Sequence, residues 1–412
     1  MQELLIDHKS LYRLPWTLPD NAISWLEPTA LCNLKCDGCY RENESNSHKS
    51  LETIKHELDI FEKYRNCDGI SIAGGDPLLH PQIIEIVEEI AKRKIKPIIN
   101  TNGVALTKEL LAMLKKAGVF GFTFHIDSKQ GRGAQWKDKN ELELNELRLY
   151  YAKMLAEAGG ISCSFNSTIY EDTAHYVPEM VQWAADHIDI VQVMVFIIYR
   201  QIVPNLPMEW YSGAQKVEMG NFWYADQKER KIDMLSTDLL KIIKERFPEF
   251  RPCAFLNGTE KVDSYKWLLT NRVGDKKTIF GYMGKKFIEL VQTQYHLWEG
   301  KYLAYASPSF TRLGKSILFL GLFDEGARNA AKKYVSSLIK NPFRFFKRLH
   351  YQSVMIIQPI DFMEDGSQNM CDGCPDITVW EDKLVWSCRL EEPKKFGCFL
   401  RSVPIKETPD NY

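Results

Sequence analysis

Nine residues, Cys32-Asn33-Leu34-Lys35-Cys36-Asp37-Gly38-Cys39-Tyr40, constrain this 412-residue chain more than any other stretch. Their three cysteines are spaced C-x3-C-x2-C, with an aromatic residue directly after the last. Thiolates are soft ligands that select zinc, copper(I) and iron–sulfur clusters. A cubane cluster ordinarily takes four of them. Three close thiolates without a fourth nearby therefore leave one iron open to a small molecule. Asp37-Gly38 permits a tight return of the loop, because glycine accepts backbone angles that other residues resist. The alternative for the same cysteines is a zinc knuckle borrowing a fourth ligand such as His48, although paired C-x2-C half-sites are the usual zinc pattern.

Downstream of an irregular lead-in (1–20), the chain alternates strand and helix patterns. Strands are expected at 23–28, 69–73, 97–103, 122–128, 161–169 and 190–198, with helices between them at 3.6-residue periodicity. Ser50 and Thr107 are placed to cap two of those helices. Repeated strand–helix units predict an α/β fold, a partial (β/α)6 parallel barrel. Right-handed crossovers put every strand's C-terminal end on one rim. The cysteine loop, Gly74-Gly75, Asn102, Asp127-Ser128 and Asn166 all fall where that rim should be. His125 precedes Asp127 by two and so shares its face.

The loop CNLKCDGCY resembles the cluster loop of the radical S-adenosylmethionine (SAM) superfamily. Ser71-Ile72-Ala73-Gly74-Gly75-Asp76-Pro77 resembles its GGEP-type turn, with Asp where Glu is commoner. The resemblance covers roughly residues 21–200. It implies that Cys32, Cys36 and Cys39 ligate a [4Fe–4S] cluster, which on reduction cleaves SAM to a 5′-deoxyadenosyl radical that takes hydrogen from a C–H bond. It also implies a SAM site at Tyr40, Gly74, Gly75, Asp76, Asn102, His125, Asp127, Ser128 and Asn166, with Arg132 or Lys129 near the SAM carboxylate. The two glycines would admit the methionyl amino group, and Asp127 and Ser128 suit ribose hydroxyls. No catalytic residue is assigned.

At this length one core is not enough, and further regions are expected. The reading divides the chain into the lead-in, a barrel over 21–205, a mainly helical, basic and aromatic substrate region over 206–360, and a small Cys-rich module over 361–412. In the last, Cys371, Cys374, Cys388 and Cys398 follow the spacing C-x2-C-x13-C-x9-C. A hairpin around Glu381-Asp382-Lys383 would return Cys388 toward the first pair, for a second [4Fe–4S] cluster or other thiolate-bound metal. Cys67 and Cys163 read as packing residues, and Cys253 as core or functional thiol.

The N-terminus lacks the basic and apolar regions of a signal peptide, and no apolar run approaches a membrane span. A cytoplasmic location is expected. Between Glu260 and His350 seventeen Lys or Arg stand against seven Asp or Glu, an excess of ten in a chain of net charge −1. With apolar stripes on the expected helices, including one from Asn341, this favours a small-molecule or lipid-like anionic substrate and peripheral contact with an anionic membrane. The alternatives are maturation of a peptide or carrier-bound substrate, and a non-enzymatic iron–sulfur sensor or regulator. An electron donor such as flavodoxin or ferredoxin is an expected partner; nucleic acid is not.

Overall fold

The computed structural model describes residues 6–200, 208–219 and 234–405. The main sheet begins with a two-residue strand, β1 (Tyr12–Arg13). Six parallel neighbours follow: β2 (Ile23–Thr29), β3 (Gly69–Gly74), β4 (Lys96–Thr101), β5 (Gly121–His125), β6 (Ser162–Ile169) and β7 (Val193–Ile198). Helices connect them, starting and stopping for local reasons. The Ser50 hydroxyl accepts from Thr53 N–H to begin Leu51–Tyr64, and Thr107 accepts from Leu110 N–H to begin Lys108–Ala117. Gly118, left-handed at φ 99°, ends the latter. The helix-facing side of the strands is packed, and Leu26, Ile70, Ile72, Ile99, Phe124, Phe165 and Phe196 are buried there.

The sheet extends further than the six expected strands. β8 (Met208–Ser212) and β9 (Gln215–Val217) form a small separate sheet. β10 (Ala254–Asn257), β11 (Tyr265–Asp275), β12 (Thr278–Tyr282) and β13 (His350–Ile357) all join the main one. β13 pairs parallel with β7 as a seventh parallel strand, β11 runs antiparallel to β13, and β10 joins β11 to β1. The edges of this open barrel are β1 and β2, which residues 14–22 connect.

The region read as mainly helical thus also supplies six strands among the described residues, four of them to the main sheet. Asn341 does cap a helical turn, its side chain accepting from Phe343 N–H, but that turn is a 3-10 helix ending at Phe346. His350 then opens β13, whose alternation decides its state. Tyr351, Ser353, Met355 and Ile357 line the barrel cavity, while Gln352, Val354 and Ile356 are buried on the other face. The boundary placed at 205/206 lies outside the described residues.

The C-terminal region carries β14 (Asp361–Phe362) paired with β15 (Gln368–Asn369), then β16 (Ile377–Trp380) paired with β17 (Lys383–Trp386), and β18 (Arg401–Pro404) on β8. Glu381 and Asp382, at φ 47° and 61°, make the expected hairpin turn.

A buried ion pair fixes the rim after β5. Arg148 and Glu141 are both fully buried and meet at 2.7 Å. Arg148 also donates to Ile126 O, while Glu141 accepts from Ser128 N–H at 2.7 Å. Removing one partner leaves the other charge buried and alone, a cost of about 3–5 kcal/mol. Glu141→Ala should therefore lower the chemical-denaturation midpoint strongly, while Lys139→Ala, which breaks an exposed pair with Glu143, should leave it in place. Equal midpoints for the two variants would refute the role given to the buried pair.

Candidate functional site

The cysteine loop leaves β2 and is held from several sides. Asn43 clamps its start, its Oδ1 accepting from Cys32 N–H at 2.9 Å and its Nδ2 donating to Cys32 O at 2.8 Å. Asp37 N–H donates to Lys129 O, and Asp37 O accepts from the Tyr170 hydroxyl. Gly38, at φ 69°, lies against the Tyr199 ring, where a Cβ would come within 2.1 Å of a ring carbon. Tyr199 in turn stacks on Tyr170 at 4.8 Å. The loop is folded onto an aromatic platform that accepts only glycine at its tip.

The Gly74-Gly75 turn meets the loop's other side. A Cβ on Gly75 would stand 2.2 Å from Leu31 O, and one on Gly74 2.4 Å from Thr29 O. Gly75 N–H donates to Thr29 O and Asp76 N–H to Leu31 O, both at 2.8 Å. Asn102, past the end of β4, directs Nδ2 at Asn33 Oδ1 (2.7 Å) and toward Cys32 Sγ (3.8 Å).

These groups line a cavity of about 570 Å³ inside the barrel, a volume that suits a cofactor and part of a substrate. Tyr40, Gly74, Gly75, Asn102, His125, Asp127 and Asn166 face it with the three cysteines. Asp76 and Ser128 do not. The Asp76 carboxylate accepts from Thr101 Oγ1, Asn102 N–H and Leu78 N–H, so it joins the β3 and β4 rims from behind. Arg132 is likewise occupied, donating to Asn102 O and His125 O, and Lys129 pairs with Asp172.

Burial raises the thiols of Cys32, Cys36 and Cys39 above their ordinary range. They are poor thiolates until a metal offsets that desolvation, since a coordinated thiol is deprotonated outright. Asp127 behaves oppositely. Burial pushes its carboxyl up, but His125 and the N–H groups of Lys129 and Thr168 outweigh it and hold the group below the usual range. His125 Nε2 is 3.0 Å from both Asp127 Oδ2 and Thr168 Oγ1.

The same cavity is also lined by Cys371, Cys374 and Cys388. Cys374 is raised by the hydrogen bond its thiol donates to Cys371 and by burial; Cys388 is pushed up to about 12 by burial and the Cys371 charge. Cys398 does not join them: its Sγ is 3.3 Å from Ser212 Oγ, away from the cavity lining. Cys67, Cys163 and Cys253 are buried, and Cys253 bonds Leu269 O in the core. Among the described residues no three His, Cys, Asp or Glu converge on one metal-ion position. A cubane makes no such demand, because its thiolates bind separate irons.

Sequence reasoning missed what joins the two cysteine groups. Arg41, immediately after the cysteine motif, donates from Nη2 to Glu27 Oε1 and from Nη1 to Glu391 Oε1, each at 2.6 Å. Nη2 also reaches Ser387 O at 3.0 Å, and Ser387 Oγ donates to Glu27 at 2.7 Å. Cys388 follows directly. Asp376, also on the cavity lining, is pushed up to about 7 by burial against the pull of Arg65. Nothing in the local sequence distinguishes Arg41 from a solvated cation, because its carboxylate partners lie 14 and 350 residues away.

The donor set fits a three-thiolate cluster with a small polar molecule beside it. All ten cysteines are unpaired, the glycine turn leaves backbone exposed to the cavity, and Trp25 Nε1 and Asn100 Nδ2 on the lining lack hydrogen-bond partners. Comparison with known proteins agrees. The family model described as the Radical SAM superfamily matches residues 26–184. The tungsten-containing aldehyde ferredoxin oxidoreductase cofactor-modifying protein of Pyrococcus furiosus is 33% identical over 106 residues, 25% of this chain and 30% of that protein. The antilisterial bacteriocin subtilosin biosynthesis protein AlbA of Bacillus subtilis is 37% identical over 93 residues, 22% and 20% of the two chains. The matched segment thus spans less than a third of either relative. Among solved structures, Streptococcus suis SuiB bound to precursor peptide SuiA aligns at TM-score 0.40 and 16% identity, covering 56% of this chain and 46% of that one. Residues 26–184 form a radical SAM domain.

Proposed function

We propose that this protein is a radical SAM enzyme that abstracts hydrogen from a C–H bond of a peptide or carrier-bound substrate. The observation that carries the reading is the single cavity shared by Cys32, Cys36 and Cys39, the Gly74-Gly75 turn and the His125–Asp127 pair. When bound, a [4Fe–4S] cluster and SAM supply the carbon radical chemistry. The protein's own share is positioning and exclusion of competing reactions. Gly74 and Gly75 offer main-chain polar groups to the methionyl end. Asp127, held ionised by its hydrogen bonds, offers an acceptor to ribose hydroxyls. The aromatic platform of Tyr199 and Tyr170 supports the cluster loop at Gly38. Flavodoxin or ferredoxin is the class of electron donor required.

The peptide or carrier-bound reading is supported by the likeness to a bacteriocin biosynthesis protein within the core. A second reading, an amphipathic or lipid-like substrate, is favoured by the apolar wall built from Trp267, Leu269, Phe287, Val291, Met355 and Ile357. A sensor or regulator without SAM chemistry would leave the glycine turn and the Asp127 tip without a use. Cys371, Cys374 and Cys388, gathered on the same cavity, are the proposed ligands of a second thiolate-bound centre, and Cys398 is left out of that set.

Anaerobically reconstituted protein should convert SAM to 5′-deoxyadenosine under strong reductant, and Cys36→Ala should bring the yield to background. Full yield from the variant would remove the central assignment. A peptide library and a lipid mixture, added separately, identify the substrate class by which one raises the yield.

The second centre has its own readout. Protein with Cys32, Cys36 and Cys39 all changed to Ala should still bind iron or zinc by metal analysis. It should lose that metal when Cys371 and Cys388 are also changed, but keep it with Cys398→Ala. Metal-free protein after the first triple change would exclude the site.

A further inference from the structure

The segment between the helix Lys285–Glu299 and β13 has an inward and an outward side. Inward, Ile317, Ala327, Ala330, Tyr334 and Leu349 are buried in their own core cluster. Outward, Phe319 and Leu322 are each 75% exposed, with Leu318 and Phe323 beside them also exposed. The turn Pro342–Phe346 adds Phe343 and Phe345, and Phe346 at 80% exposure. The two stretches are neighbours in space. Lys315 Nζ donates to Phe345 O and stands 4.7 Å from the centre of the Phe345 ring, and Gly314 N–H donates to Leu349 O at 3.1 Å. Single exposed apolar residues are ordinary on a protein surface, but a contiguous group of large ones marks an interaction site.

The charge around this group is one-sided. Residues 301–350 hold ten Lys or Arg against two acids, Asp324 and Glu325. Asp324 is buried, its carboxylate accepting from the N–H groups of Gly284, Phe287 and Ala327. Arg312, Lys347 and Arg348 are exposed beside the phenylalanines.

We propose that this surface docks on an anionic phospholipid leaflet. Phe319, Leu322 and Phe346 enter the boundary between headgroups and acyl chains, and Arg312, Lys347 and Arg348 meet the phosphates. Stable peripheral attachment takes two signals, an apolar insertion and a basic patch, and both are present on one face. Charge complementarity selects the leaflet over a second copy of this chain, because self-association would bring two like-charged faces together. No helix among the described residues is long and apolar enough to cross a membrane, so contact through this face is peripheral. Residues of the adjoining stretch, Leu303 to Ala306 with Phe310 and Thr311, also line the cavity, so the docking face and the site share a segment.

The test is co-sedimentation of the full chain with vesicles of phosphatidylcholine alone or mixed with about one-third phosphatidylglycerol, at low and high salt. Protein should pellet with the anionic vesicles, at least about tenfold more than with neutral ones, and should be released by salt. Changing Arg312, Lys347 and Arg348 together to Gln should weaken partitioning by up to about a hundredfold. Phe319→Ser with Phe346→Ser should also weaken it, and unchanged melting temperatures would establish that both variants are folded. Wild-type protein left in the supernatant at low salt overturns the proposal. So does pelleting that neither variant alters, or a dimer in analytical ultracentrifugation that the phenylalanine changes dissociate.

Discussion

The guanidinium of Arg41 is the interaction on which the arrangement of this site depends. It is buried between two carboxylates from distant parts of the chain, Glu27 on β2 and Glu391 past the second cysteine group. Burial alone would lower its pKa, but the two carboxylates raise it, so the cation is fixed. One cation facing two acids in low dielectric tolerates no loss of a member; removing one charge from such a group costs about 3–5 kcal/mol. Because Arg41 follows Cys39 and Tyr40 directly, and Ser387 precedes Cys388, the same contact that satisfies these charges ties one cysteine group to the other. Arg13 and Asn21 support it from the stretch before β2, bonding Asp372 and Gly373 O in the turn that carries Cys371 and Cys374. That turn is tight enough that a Cβ on Gly373 would strike Trp16 O at 2.1 Å.

This explains the uneven legibility of the chain. The cysteine loop, the glycine turn and the six β/α units are local patterns with periods of two or 3.6 residues, and a sequence displays those directly. His125 and Asp127 were visible for the same reason, as alternate residues at a strand end. β13 was not, although its alternation of Tyr351, Ser353, Met355 and Ile357 against Gln352, Val354 and Ile356 is regular. It pairs with β7 across some 150 residues of chain, and the basic, aromatic turn before it suggested a helix that would run on. Asp76 and Ser128 stood at the expected rim, yet sequence position does not say whether a side chain faces the cavity or braces the rim from behind. Cys398 shows the limit of spacing arguments: four cysteines in one module need not share one centre.

Function divides along the same line. The barrel rim supplies a general site, and its relatives within the matched segment carry names as different as cofactor modification and bacteriocin biosynthesis. Whatever selects a substrate must come from elements outside that segment. Here those are β11 and β13, which add Trp267, Leu269, Met355 and Ile357 to the cavity, the stretch around Tyr305, and the cysteines of the C-terminal module. The exposed phenylalanines and the excess of positive charge also lie in this added part. The extension thus contributes cavity residues that lie outside the matched segment.

The most direct test of the central claim is electron–nuclear double resonance on the reduced, reconstituted protein mixed with SAM carrying an isotopically labelled amino nitrogen. The account predicts a hyperfine coupling between the label and a paramagnetic cluster, present in wild type and in protein lacking Cys371 and Cys388, and absent after Cys36→Ala. A fully loaded cluster at Cys32, Cys36 and Cys39 with no coupling to the label would contradict it.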